Sequence, residues 1–255
     1  MPSSDRSAGG SRFGPVGASV PAGRRYLSGT MVVETTWQTR TGWVIVREAL
    51  LVGPWYHGRE RLRAQRRPPT DNEAEGVLLR TVKCVHGSVE MAVDCDPVFD
   101  YGRRDAVWEY AGDGFGDAVA RPAPAAGGAA GDGPGATAEL RLVTDLRLGF
   151  EGRRASARTT LHEGGTAFVA LSWGGKGPPA SYDESFERME ATSEFWRDWL
   201  NHGNFPDHPW RVHLQRSALT LKGLTYAPTG AMLAAATTSL PEWPGGSRNW
   251  DYRYS

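Results

Sequence analysis

The stretch from Val77 to Cys95 reads VLLRTVKCVHGSVEMAVDC, and its apolar residues recur with a period of two on either side of His86-Gly87. That period belongs to a strand with one face buried and one in water. His86-Gly87 reads as a two-residue turn, so the segment is expected to form a hairpin. In that register Val85 faces Ser88, Cys84 faces Val89, Val82 faces Met91, Arg80 faces Val93 and Leu78 faces Cys95. One face is then apolar except at Arg80, which fixes the pairing. The same register puts Cys84 and Cys95 on the order of 20 Å apart at the usual strand rise, too far to bond.

The pattern repeats on both sides. Met31 to Trp37 and Trp43 to Val52 flank the polar turn Thr39-Arg40-Thr41-Gly42, a second hairpin signature. Short strands are expected at Val107 to Tyr110, Ala138 to Leu142, Leu146 to Phe150, Ala155 to Leu161 and Thr166 to Trp173. Successive hairpins of this kind indicate an antiparallel β-sandwich over residues 24–175. Two stretches bury too little to offset chain entropy: the Ser/Gly/Pro-rich residues 1–23, and the Gly/Ala/Pro/Asp-rich residues 111–138. They read as a disordered tail and a disordered insertion.

After Trp173 the period changes to that of a helix. Ser181 and Glu184 have the spacing of a capping box for a helix from about Tyr182 to Asn201, with Phe186, Met189, Phe195, Trp196, Trp199 and Leu200 on one side. A second helix is expected after Asp207, with Pro209 in its first turn and Trp210, Leu214, Ala218, Leu221 and Leu224 as its apolar stripe, ending before Pro228. Residues 176–228 thus read as a helical connector and 229–255 as the start of a further domain.

Composition removes several function classes. The 255 residues carry 29 Lys+Arg against 29 Asp+Glu, so no basic footprint for nucleic acid exists. The two cysteines lack the paired spacing of a zinc site and are too few for a disulfide scaffold. No apolar run reaches a membrane span, and residues 1–23 lack the apolar core of a secretory signal. A cytoplasmic protein is expected, without metal or cofactor.

The candidate chemistry is sparse. The six histidines do not converge: His86 and His162 fall in expected turns, and His208 and His213 are off one helix face. Glu187, Glu190 and Glu194 lie opposite an apolar stripe, which is the pattern of a solvated face. Asp96 and Asp100 suit a strand exit, and Gly112 to Gly116 does not join a parallel strand to a helix as a phosphate loop would. The final segment PEWPGGSRNWDYRYS crowds Trp243, Trp250, Tyr252 and Tyr254 beside Arg248, Asn249, Asp251 and Arg253. Flat rings beside amides, guanidiniums and carboxylates suit a sugar, whose ring faces stack while its hydroxyls take hydrogen bonds. A buried helix opened by Trp250, with its charges paired locally, fits the same residues.

TTSLPEWPGGSRNWDYRYS, QRSALTLKGLTYAPTGA, GTMVVETTWQTRTGWVIVREALLVGPW, RRPPTDNEAEGVLLRTVKCVHGSVEM and FDYGRR together resemble the bacterial glucoamylase and trehalase-like proteins of glycoside hydrolase family 15. The resemblance runs from about Arg24 to Ser255, omitting the 111–138 insertion. It implies a mainly β protein: an antiparallel β-sandwich of supersandwich type, then a helical linker, then the first segment of an (α/α)6 barrel. Family members have further strands before Arg24, so both ends read as truncated and the sandwich as incomplete.

The resemblance further implies cleavage of terminal α-glucosidic bonds with inversion, between a general acid and a general base. Both carboxylates belong to barrel segments beyond Ser255, so no catalytic residue is assigned here and the chain is expected to be inactive without that barrel in cis. What carries over is part of the sugar subsite. Tyr252 matches the family tyrosine that lies against the sugar, and Asn249, Trp250 and Asp251 match its surroundings. The implied partner is an α-glucoside, either trehalose or a glucan oligosaccharide. The competing expectation is a non-catalytic carbohydrate-binding or structural β-sandwich.

Overall fold

The computed structural model describes residues 9–53, 74–124, 139–173, 177–226 and 230–233. These fall into two compact units. The first takes in the described residues of Met1–Leu27, Val32–Leu51 and Ala74–Glu190; the second takes in those of Ser28–Met31, Val52–Glu73 and Ala191–Ser255.

The first unit is built on antiparallel strands. They are β1 (Gly10–Pro15), β2 (Gly23–Tyr26), β3 (Val33–Gln38), β4 (Gly42–Val52), β5 (Ala74–Asp96), β6 (Val98–Phe99), β7 (Arg104–Tyr110), β8 (Asp117–Pro122), β9 (Leu140–Thr144), β10 (Gly149–Glu151), β11 (Arg154–His162) and β12 (Thr166–Ser172). Strand order from edge to edge is β2-β3-β4-β5-β12-β9-β8-β7-β6, while β1 and β11 also pair with β5, and β10 pairs with β11.

The expected hairpin at His86-Gly87 is corrected by this topology. Residues 74–96 are one continuous strand of 23 residues. Its first part pairs with β12 from Val77↔Ser172 to Lys83↔Thr166. Its last part pairs with β1 and β11, for example Cys95 with Ser11 and with Ala155. A tight two-residue hairpin turn needs positive φ at its first central residue. Among the described non-glycine residues only Asp100 has positive φ, so His86 does not qualify. Gly87, at φ 67°, instead shifts the strand's alternation, because the inward positions are even before it (Val82, Cys84) and odd after it (Val89, Met91, Val93, Cys95).

The inferred apolar face holds for these six side chains, whereas Leu78 on it is only half-buried and Val77 and Leu79, expected to face water, are buried in another core. Those six side chains join Phe13, Val44, Val46, Trp108, Leu142, Val169 and others in one core. β5 therefore lines both walls of that core with its two halves. Cys84 and Cys95 are both buried and free. The backbone at Gly87 is also crowded: a Cβ there would lie 2.2 Å from the Thr41 carbonyl oxygen, which accepts the Ser88 N–H at 3.0 Å.

Two compositional readings are corrected as well. Within the supposed tail, Gly10–Pro15 forms β1 and buries Phe13. Within the supposed insertion, Asp117–Pro122 forms β8, whose Ala118 and Ala120 are fully buried opposite Leu142 and Trp108. Small residues look featureless in a sequence, yet they are what fits across from an indole. Residues 125–138 lie outside the described ones.

A second core covers the other face of β12. Ala167 and Val169 point into the first core, while Phe168 and Ala170 pack with Leu51, Val77, Leu79, Val143 and Met189. A strand buried on both faces cannot show polar alternation, hence the run Ala-Phe-Val-Ala-Leu. Met189 comes from α1 (Tyr182–Asn201), whose bounds match the expected ones. Ser181 caps it by accepting the Glu184 N–H at 3.2 Å, and the Glu184 carboxylate accepts the Ala180 N–H at 2.8 Å, one residue earlier than in the standard box. Arg188 ion-pairs with the buried Glu75, tying α1 to the start of β5.

In the second unit, Phe195, Trp196 and Leu200 of α1 pack with Leu219 of α2 (Arg211–Gly223). The stripe expected on α2 is wrong by one face. Leu219 is the buried residue, whereas Trp210, Leu214 and Leu221 are exposed, Trp210 by 61%. Arg216 donates to the Thr30 carbonyl at 2.8 Å, which holds that face of α2 against residues 28–31. No described helix is long and apolar enough to cross a membrane.

A second buried carboxylate on the large sheet's outer side, besides Glu75, is Glu34. Glu34 is 6% exposed and takes Arg25 at 2.7 Å and Arg47 at 3.1 Å. Burial pushes its carboxyl up, but the two guanidiniums outweigh burial and hold it below the usual carboxylate range.

Two outcomes are expected. Gly87→Ala should lower the urea midpoint by an amount worth about 1–3 kcal/mol, since φ is positive there and a Cβ meets backbone. An unchanged midpoint would show that the strand crossing tolerates a side chain. Because the folded pKa of Glu34 is depressed, its contribution is present above the unfolded carboxylate range and lost as pH falls through the folded value. Glu34→Gln should therefore be less stable than the parent at pH 7, with the gap closing below about pH 4. Denaturant titrations at both pH values measure it.

Candidate functional site

Asn249, Trp250, Asp251 and Tyr252 lie outside the described residues, as do Trp243, Arg248, Arg253 and Tyr254. The remaining carboxylate candidates resolve into structural roles. Glu187 and Glu194 are exposed on α1, and Glu190 sits 3.6 Å from Arg47. Asp96 pairs with Arg153 at 2.8 Å, and Asp100 occupies a left-handed position in a 3-10 turn, 3.4 Å from Arg104. These are turn and ion-pair chemistry.

The histidines are dispersed. His86, exposed on β5, is 3.5 Å from Glu163 in the turn between β11 and β12, and the His208 ring accepts the Trp210 N–H at 3.1 Å. Among the described residues no three His, Cys, Asp or Glu side chains converge as a metal set would. The glycine-rich loop at 112–116 joins the antiparallel strands β7 and β8. Its Phe115 packs edge-on against Tyr110 and under the Arg147 guanidinium, 4.2 Å from the ring centre. No parallel strand feeds a helix there, so a phosphate has no cradle.

The structure does form a cleft that pattern reading missed. It has a volume of about 310 Å³ and lies on the outer face of β4 and β5, beside the first turns of α1. On β4 the odd positions face outward, so Ala49 and Leu51 are covered while Ile45 and Arg47 line the opening. On β5 the same parity buries Val77 and Leu79 and leaves Thr81, Lys83 and Val85 in the cleft. α1 supplies Tyr182, Phe186 and Met189. Met189 is fully buried, whereas Phe186 is 47% exposed and Val85 37%.

Both signs of charge act on the cleft: Arg47 and Lys83 line it, while Asp145 and Asp183 act on Tyr182 from nearby. Arg47 is held between Glu34 and Glu190, but the lining itself contains no Asp or Glu. Burial pushes the Tyr182 phenol up, and the nearby Arg47 opposes this only in part. Tyr182 is therefore a neutral hydroxyl at ordinary pH, able to donate or accept. Such a lining can bind but holds no carboxylate for general acid–base work. The clue available in the sequence was Lys83, a charge on the same strand parity as Val77 and Leu79.

No family model matches the chain. It is 58% identical over 251 residues to a trehalase of Mycobacterium tuberculosis, covering 98% of this chain and 36% of that protein. A trehalase of Mycolicibacterium smegmatis is 59% identical over the same length and shares. A trehalase of Thermoplasma acidophilum is 47% identical over 77 residues, 30% of this chain and 13% of the relative. The chain spans about a third of the length of its mycobacterial relatives, with 36% of each covered. Along almost the whole of its own length, then, this chain is similar to part of a trehalase.

Proposed function

We propose that this chain is the sandwich and linker portion of a family 15 glycoside hydrolase that cleaves α,α-trehalose with inversion. The observation that carries the reading is 58% identity over 98% of the chain with a protein named as a trehalase. That name favours trehalose over glucan oligosaccharides. The mainly β first unit followed by α1 and α2 agrees with a sandwich and helical linker.

In this reading the general acid and base are supplied by polypeptide outside these 255 residues, in an (α/α)6 barrel. Two observations support that placement: the chain covers 36% of each mycobacterial relative, and the carboxylates described on α1 are solvated or ion-paired and do not line the cleft on β4 and β5. Tyr252, with Asn249, Trp250 and Asp251 around it, is assigned to the sugar subsite. In the family the matching tyrosine lies against the sugar at the cleavage site, where a phenol favours developing oxocarbenium charge, so in this reading its hydrogen bonding matters more in the transition state than in the ground state.

The 255-residue chain incubated with trehalose should release no glucose above a Tyr252→Ala control, because loss of general acid–base help alone removes about 10² to 10⁴ in rate. Glucose release above that control would place the acid and base within the chain. In a full-length trehalase bearing the equivalent of Tyr252, replacement by phenylalanine should lower kcat more than it raises KM. If both constants stay near wild type while Tm moves, the tyrosine is a packing residue. Early in that reaction, NMR should find one α- and one β-glucose per trehalose, whereas two α-glucoses would mean retention.

A further inference from the structure

From the cleft on β4, β5 and α1 we infer a binding site for a small organic anion with an apolar body, of the medium-chain fatty-acid class. Concavity is the first requirement, and about 310 Å³ is within the range of small-molecule pockets, roughly 300–1,000 Å³. Charge complementarity selects the ligand. Arg47 is already committed to Glu34 at 3.1 Å and Glu190 at 3.6 Å. Lys83, exposed at the lip, has no ion-pair partner among the described residues, and no carboxylate lines the opening. Among the described residues, Lys83 is thus a cation of the lining that a ligand's carboxylate can reach without displacing a carboxylate partner.

The walls supply the second half of the recognition. Phe186 and Val85 are exposed beside Ile45 and the buried Met189, so an aliphatic chain laid there would remove apolar surface from water on both sides. A carboxylate at the end of that chain reaches an ammonium without displacing an existing partner. A neutral sugar would leave Lys83 without a carboxylate partner, and a bare inorganic anion would leave the walls wet. This inference stands apart from the hydrolase reading, since the cleft contains no acid or base.

Calorimetric titration of the 255-residue chain with octanoate, kept below micellar concentrations, tests it alongside octanol and sulfate. Octanoate should bind saturably at one site. Lys83→Gln should weaken octanoate about tenfold and leave octanol unchanged, whereas Lys83→Arg should restore octanoate. Phe186→Ser should weaken octanoate and octanol alike. Absence of saturable octanoate binding, octanoate affinity unaffected by Lys83→Gln, or sulfate binding as tight as octanoate would each overturn the assignment. Because the readout is binding, its failure leaves the trehalose reading untouched, and inactivity toward trehalose leaves this one untouched.

Discussion

The crossing of β5 at Gly87 is the constraint from which the first unit's architecture follows. A strand of 23 residues enters the large sheet beside β12 and leaves beside β1 and β11. The inward parity changes at the left-handed Gly87 without a break in the chain's extended run. Glycine adopts that conformation and also clears the Thr41 carbonyl, whose bond to Ser88 ties the β3–β4 turn to the crossing. Once the parity changes, Cys84 and Val89 both point inward and one core is lined by two half-strands.

With that core closed, the outer face of the large sheet needs its own cover. α1 provides it through Met189, and the buried Arg188–Glu75 pair sets the contact. Removing one partner of such a pair strands a buried charge and destabilises the contact, even where the intact pair adds little over apolar packing. The cover is partial: where the outward face carries Arg47, Thr81 and Lys83, Phe186 stays exposed, and the cleft is what remains.

Much of this was legible and the misses share a cause. The period of two over Val77–Cys95 identified six inward side chains, and the Ser181/Glu184 spacing located α1. Periodicity reports which side chains share a face, however, not whether that face belongs to one sheet or two, so a bent strand and a hairpin look alike. β1 and β8 went unseen because their ladders rest on backbone and their buried residues are mostly small. On α2 the stripe of Trp210, Leu214 and Leu221 outweighed Leu219 by hydrophobicity, while the contact with residues 28–31 decided which face is buried. The sugar-subsite candidates at 249–252 came from a resemblance to a family motif, and the cleft had no motif to reveal it.

The shared strand also bears on how related chains can vary. Side chains on β5 can be exchanged for others of similar volume one at a time, as in any core. The number of residues between Cys84 and Val89 cannot change so freely, because adding or deleting one would invert every position of one half-strand relative to the other. Length polymorphism among descendants of this sequence should therefore concentrate in connections such as that between β8 and β9, and spare the five-residue step across Gly87.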